Sequence, residues 1–127
     1  MREIKFRAKS IENKNRGEWI IGDLHLHSPF PHIHSTRGDK AKIDTNTIGQ
    51  FTGLRDKNGK EIYEGDIIIE KLKRSRKDGE RLVVCFEEFE WKGKNTNRAT
   101  TSLSLLAEYH TVEVIGNIHD NPELLKK

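Results

Sequence analysis

A run rich in turn-forming residues, 47–66, lies directly before the apolar run Ile67-Ile68-Ile69 and constrains the fold more than any other stretch. Within it, Asp56-Lys57-Asn58-Gly59 has the composition of a tight turn, because Asp caps its own backbone and Asn-Gly tolerates positive φ. Asn-Gly between extended segments also predicts a β-hairpin. Gly53 and Gly65 bracket the hairpin, at positions that favour positive φ or a close backbone approach. We predict a rigid surface loop that sets up the following strand; the alternative is a binding surface.

Short alternating segments predict a mainly β protein. In Glu3–Ser10, for example, apolar and basic side chains alternate, which is typical of a half-buried strand. Such strands, separated by turn signals, favour a small antiparallel β-barrel or sheet with long loops. The predicted strands are Glu3–Ser10, Glu18–His27, His32–Ser35, Asp66–Leu72, Arg81–Trp91 and Thr111–Ile118.

The remaining segments are polar or ambiguous. We predict loops over residues 36–42 and 91–100, and one helical turn through Ile48 capped by the run Asp44-Thr45-Asn46-Thr47. Thr101–Tyr109 fits both a strand and a helical face. A short terminal helix is predicted after Asp120, with Asn121 as N-cap and proline at its first position.

Length and composition predict one domain over residues 1–127, because 127 residues is near the commonest domain size. The hydrophobic fraction is 33% and the charged fraction 34%, so we expect a thin core and much polar surface. The net charge of +3 is mild, and solubility alone accounts for it. A positive net charge of this size indicates nucleic-acid binding only where the basic residues are clustered.

The one cysteine, Cys85, lies in an apolar run and is predicted to be a small buried side chain. A single thiol forms no internal disulfide, so the sequence gives no sign of secretion. No apolar segment approaches the length of a membrane span, and the first residues lack the apolar core of a signal peptide. We therefore expect a cytoplasmic protein that does not contact the membrane.

Four histidines flank a break at Ser28–Pro31, and together they suggest a metal site. His25 and His27 would share one strand face, as would His32 and His34, because residues two apart point to the same side. A hairpin across the break would gather four imidazoles, which are suitable zinc ligands. The two prolines in the break disfavour that hairpin. We predict solvated histidines without a metal, and keep a metal-dependent enzyme on His25–His34 as a minor alternative.

The densest positive charge lies in the predicted hairpin connection 71–77. Side chains at a projecting tip could reach nucleic-acid phosphates without sequence preference. The opposing interpretation is a solvated tip that protects strand edges. The candidate residues are Lys71, Lys73, Arg74, Arg76 and Lys77.

Catalytic chemistry has little support in the sequence. Glu87, Glu88 and Glu90 are acidic, but on one strand Glu88 and Glu90 would face away from Glu87. No pairing of a nucleophile with a base is evident from spacing. We predict a protein that is not an enzyme and needs no cofactor.

Three patches in order along the chain carry a recognisable pattern. The first is Met1-Arg2-Glu3-Ile4-Lys5-Phe6-Arg7-Ala8, and the second is the stretch 47–66 described above. The third is Val114-Ile115-Gly116-Asn117-Ile118 followed by Asn121-Pro122-Glu123-Leu124-Leu125. Together they resemble the YopX family of phage and prophage proteins. Lys9-Ser10 stands where the family usually has Trp-Asp, and His119-Asp120 replaces Tyr-Glu before Asn-Pro. The histidine stretch is outside the family pattern.

The resemblance implies a small β-rich protein encoded in phage genomes, with no established activity and no catalytic residue to carry over. We expect a non-enzymatic accessory or binding module whose partner is a host or phage protein. A nucleic-acid-binding module is the alternative, and a homo-oligomer is possible through exposed strand edges. The residues expected to be structural are Gly53, Asp56, Asn58, Gly59, Gly65, Asp66, Gly116 and Asn117.

Overall fold

A computed structural model describes residues 3–27, 29–72, 80–95, 98–103 and 110–125, with only the backbone described at 71–72, 98–101 and 110–111. The chain divides into two compact units, Met1–Gly53 and Leu54–Lys127, and each is described by itself. The single domain over residues 1–127 stays a prediction.

The first unit is an antiparallel sheet with the strand order β4-β3-β2-β1-β5. Two short 3-10 turns, Asn13–Asn15 and Thr45–Thr47, connect its strands. Within the predicted capping run 44–47, it is the side chain of Asp44 that caps the second turn, accepting from the N–H of Asn46 at 3.0 Å. The strands are β1 Phe6–Lys9, β2 Trp19–His25, β3 His32–Ser35, β4 Lys40–Lys42 and β5 Gly49–Arg55, which continues past the unit boundary.

One face of this sheet forms the core of the first unit. Ala8, Ile33 and Ile43 are buried there, and Ile20 and Leu24 pack against them. The pairing is regular, with Leu24 opposite Ile33 on neighbouring strands. Because side chains alternate across a strand, the odd-numbered residues of β2 lie on the other face.

The second unit contains a five-stranded antiparallel sheet in the order β10-β9-β8-β7-β11. Its core side carries buried Ile68, Leu82, Val84, Trp91 and Val112. The hairpin strand β6 follows the end of β5 and contributes Ile62 to this core. The strands are β6 Glu61–Tyr63, β7 Asp66–Leu72, β8 Arg81–Glu87, β9 Glu90–Asn95, β10 Arg98–Ser102 and β11 His110–Asn117.

The mainly β antiparallel fold is confirmed, in the form of two sheets that do not close into a barrel over the described residues. The terminal helix is a single 3-10 turn, Pro122–Leu125. The helical segments of the described chain include none long and apolar enough to cross a lipid bilayer.

Three predicted boundaries are wrong. Arg81–Trp91 is not one strand, because the chain reverses at Glu88 and Phe89 to form β8 and β9. The expected loop 91–100 contains most of β9 and the start of β10, and the expected loop 36–42 contains β4. Cross-strand hydrogen bonding prevails in these polar segments, which carry few apolar residues to mark them. Most of Thr101–Tyr109 lies outside the described residues.

Candidate functional site

The predicted turn is a hairpin tip held by the carboxylate of Asp56, a side chain that is only 7% exposed. Its Oδ1 accepts hydrogen bonds from the backbone N–H groups of Asn58 and Lys60, both at 2.9 Å. Its Oδ2 accepts from the N–H of Val114 at 3.0 Å. Gly59 has φ of +82°, so the tip also uses a left-handed glycine. One carboxylate therefore closes the turn and joins it to β11, which supports a structural role.

A second carboxylate closes the turn before β7. Asp66 is 1% exposed, and its Oδ2 accepts a hydrogen bond from the N–H of Tyr63 at 2.7 Å. Between them Gly65 has φ of +90°, a conformation that other L residues rarely adopt. Gly53, at φ +86°, provides the same conformation inside β5. The geometry supports the structural role expected for these three motif positions.

The third motif is a side-chain clamp at the end of β11. A Cβ on Gly116 would lie 2.5 Å from Oδ1 of Asn121, so only glycine leaves room for this side chain. That oxygen accepts a hydrogen bond from the N–H of Asn117 at 3.2 Å. The predicted role of this side chain, as the N-cap of the terminal turn, is therefore wrong. The side-chain oxygen of Asn117 in turn accepts from the N–H groups of His119 and Asp120, at 3.0 and 2.9 Å.

The histidine hairpin is present despite its two prolines. His25 lies directly opposite His32, and their rings stack with centroids 4.8 Å apart. His34 lies opposite Asp23, and its ring centroid is 6.4 Å from that of His25. His27 follows the end of β2 and is exposed. No three His, Cys, Asp or Glu side chains in the described part of the chain are grouped so as to hold a metal ion.

The basic hairpin candidates are not placed by the structure. Lys73, Arg74, Arg76 and Lys77 lie outside the described residues, and only the backbone of Lys71 is described, as part of β7. Nucleic-acid contact by this segment therefore stays a prediction.

An aromatic hairpin tip, residues 86–91, was not anticipated from the sequence. Glu87 pairs with Glu90, and the two residues between them, Glu88 and Phe89, have φ of 52° and 65°. Positive φ at both central residues is the arrangement of a type I′ hairpin turn, which ordinarily uses Asn and Gly. Phe89 is 99% exposed at its apex. A bulky residue with positive φ is an outlier of the kind that clusters at functional sites.

The base of this tip is packed and charged. Phe86 is 50% exposed, and its ring centroid is 4.9 Å from that of buried Trp91. Lys92 Nζ lies 3.1 Å from a carboxylate oxygen of Glu88. On the same face of β9 as Lys92, Lys94 Nζ lies 3.0 Å from a carboxylate oxygen of Glu87. These contacts hold the strands below the apex, so the exposed ring projects from an ordered support.

The predicted orientation of the glutamates is corrected by this geometry. Glu87 and Glu90 face each other across the hairpin on one side of the sheet, because the strand ends between them. Glu88 is a turn residue and lies on neither strand. The sequence offered one signal for the tip, an aromatic residue surrounded by glutamates, but without Asn or Gly it does not resemble a turn.

Cys85 lies on β8 opposite Lys92 and is partly exposed, so the prediction of a buried side chain is only approximately right. Burial raises the pKa of its thiol, and the negative charge of Glu87 raises that pKa further. A raised pKa keeps the group as the neutral thiol at physiological pH, which disfavours a role as nucleophile.

Comparison with known proteins bears on the family. The chain is similar to a solved protein, the crystal structure of protein EF1440 from Enterococcus faecalis, with a TM-score of 0.63 and 26% sequence identity. The match covers 99% of this chain and 100% of that one. A search of curated proteins found no match. The sequence model of the YopX family, described as YopX protein, matches residues 2–126, and the chain therefore belongs to the YopX family.

Proposed function

We propose that this protein is a non-enzymatic phage or prophage accessory module that binds a host or phage protein through the aromatic hairpin tip. The observation that carries the proposal is Phe89, a phenylalanine 99% exposed at the apex of a left-handed turn. Leaving this ring in water and its backbone in a left-handed conformation are both unfavourable for the isolated chain. Burial of the ring in a partner's pocket would recover the first cost.

The charges around the ring indicate the chemistry of that partner. Glu87, Glu88 and Glu90 give the tip a negative rim. Two lysines on the strand side pair with them, Lys92 with Glu88 and Glu90 and Lys94 with Glu87, so the acidic side chains outnumber the lysines by one. A negative rim repels nucleic-acid phosphates and the headgroups of acidic lipids. It complements an apolar pocket bordered by Lys or Arg on a protein. An exposed aromatic residue inserted in such a pocket is the usual form of an interface hot spot.

The test is a Phe89→Asn variant, because Asn tolerates positive φ and removes the ring. We expect this variant to unfold at the same urea concentration as wild type or a higher one, with a gain of up to about 1 kcal/mol. The same variant should fail to capture, from infected host cells, the proteins that wild type captures. Quantitative mass spectrometry of the two captures measures the difference.

Phe30→Asn is the matched control, since Phe30 is also exposed, at 37%, and lies on a different hairpin. It should retain the captured proteins. Equal capture by wild type and Phe89→Asn would refute the proposal. A loss that the two variants share would show nonspecific adhesion of exposed phenylalanines, and would also refute it.

A further inference from the structure

The outer face of the first sheet carries a group of residues that the aromatic hairpin tip does not use. His25, His32 and Lys42 are cross-strand neighbours on β2, β3 and β4. One row further on, Asp23, His34 and Lys40 are paired in the same way. Directly opposed residues point to one side of a sheet, as do residues two apart. These six residues therefore form one surface, here called the His–Lys face.

This face points away from the core of the first unit. The alternate residues of β3 and β4, Ile33 and Ala41, are buried on the other side, at 0% and 3% exposure. On the His–Lys face, His25, His34, Lys40 and Lys42 are all exposed, while His32 is buried beneath its neighbours. Asp23 is the acidic member of the six.

Ring contacts order the imidazoles on this face. The rings of His25 and His32 are stacked with an interplanar angle of 4°. Nδ1 of His32 lies 2.9 Å from the carbonyl oxygen of Phe30, and because a carbonyl only accepts, this nitrogen donates the hydrogen. Lys42 Nζ lies 4.5 Å from the centroid of the Phe30 ring, which positions that ammonium group at the edge of the face.

The positive surface continues onto β1 around an aromatic side chain. Trp19 lies on the same side of β2 as Asp23 and His25, because the pairing of β2 is regular along its length. The Arg7 guanidinium is 4.6 Å from the Trp19 ring centroid, and Lys9 Nζ is 5.5 Å from it. Trp19 is only partly buried, so part of its indole ring reaches solvent beside these cations.

We propose that the His–Lys face, with Trp19 at its edge, binds single-stranded nucleic acid. Lys40 and Lys42 on β4, with Arg7 and Lys9 on β1, provide contacts for successive phosphates. The indole and exposed imidazole rings between them provide surfaces on which bases stack. An exposed sheet face suits an open strand better than a duplex, whose grooves require a projecting helix or ribbon. The face is distinct from the aromatic hairpin tip and from segment 71–77, so the proposal is independent of both.

The test is a fluorescence anisotropy titration of the full chain against labelled oligothymidine of about 20 nucleotides at about 50 mM salt. Wild type should bind this strand more tightly than a duplex of equal length. Phosphate contacts by Lys40, Lys42, Arg7 and Lys9 predict a log–log salt slope of about −3 for a single strand. Lys40→Glu/Lys42→Glu should weaken binding by at least about tenfold, because two contacts become repulsions.

Lys57→Glu/Lys60→Glu is the matched control, since it makes the same charge change at two exposed lysines of the hairpin tip that Asp56 closes. It should retain binding, as should Phe89→Asn. Replacing Trp19 by Leu should weaken binding while leaving the salt slope unchanged, because stacking releases no counterions.

Several results would overturn the inference. One is that wild type gives no anisotropy change at low salt. Another is that Lys40→Glu/Lys42→Glu and Lys57→Glu/Lys60→Glu lose equal affinity, which would show that binding depends only on net charge. Loss of binding on reversing Arg74, Arg76 and Lys77, with none in Lys40→Glu/Lys42→Glu, would assign the site to segment 71–77. Poly-glutamate that competes as well as oligothymidine would indicate an acidic protein partner instead.

Discussion

Replacing Asp56 by Ala tests the claim that one carboxylate holds the hairpin tip to β11. The change removes three hydrogen bonds to an ionised acceptor, from Asn58, Lys60 and Val114. The N–H groups of Asn58 and Lys60 are in an exposed turn, where water replaces the lost partner, so we assign about 1 kcal/mol to each. The N–H of Val114 is left partly buried without its acceptor, at about 2 kcal/mol.

These contributions predict a loss of about 4 kcal/mol in the free energy of unfolding, a large part of the 5–15 kcal/mol roughly expected for a domain. Asp56→Asn should lose about 2 kcal/mol, because its amide oxygen preserves one side of the network while its NH₂ opposes a donor on the other. Urea unfolding followed by tryptophan fluorescence measures both, since Trp91 is part of the buried core of the same unit.

Asp39→Ala is the matched control, because Asp39 is an exposed aspartate at another hairpin turn. We expect a change within about 0.5 kcal/mol for this variant. An Asp56→Ala protein within about 1 kcal/mol of wild type, with an unchanged denaturant slope, would refute the reasoning.

Three further stability and reactivity outcomes follow from the described geometry, and a fourth tests the undescribed basic segment. Gly65→Val should lower the unfolding free energy by about 1–3 kcal/mol in urea melts, because valine cannot adopt φ of +90° without strain; an unchanged midpoint would contradict this. Gly116→Ala should destabilise in the same assay, and adding Asn121→Ala should recover part of the loss by removing the clashing side chain; a purely additive double variant would disprove the clamp. Cys85 should react with iodoacetamide at pH 8 more slowly in the folded chain than in urea, because its raised pKa leaves less thiolate at a pH below that pKa; equal rates by mass spectrometry would contradict this. Reversing Arg74, Arg76 and Lys77 to Glu should leave the melting midpoint nearly unchanged, because the sequence predicts a solvated tip there and charges on such a tip add little stability; a shift of more than a few degrees would contradict that prediction.

The sequence predicts well those features that depend on the local backbone preference of a residue or on the alternation of side chains along a strand. Asn58 and Gly59 predict a turn because they tolerate positive φ, and the structure has that turn. The alternation in β1, β2 and β3 predicts their faces. In each case, local backbone preference and side-chain periodicity indicate the same structure. The alternation does not predict the hairpin that brings His25, His32 and His34 together, because the two prolines argue against it.

The features that escape prediction depend on partners distant in sequence. The turn at Glu88 and Phe89 uses residues that disfavour it, so the surrounding strand pairing imposes it. Strand β4 has a single apolar residue, Ala41, and is recognisable only once β3 pairs with it. Asn121 is a residue type that favours helix N-caps, yet its side-chain oxygen accepts a hydrogen bond from the N–H of Asn117. Tertiary contacts override local preference at each of these positions.

The position of β11 in the second sheet has a consequence for the order of folding. β11 pairs only with β7 in the described sheet order, although β8, β9 and β10 all precede it in the chain. Until residues 110–117 have been synthesised, β7 has one bare edge and part of its isoleucine-rich surface lacks cover. Such an intermediate is prone to edge-to-edge association, and the closure of a long loop slows its completion. We therefore expect ribosome-released fragments that end before β11 to aggregate, whereas chains that include it fold.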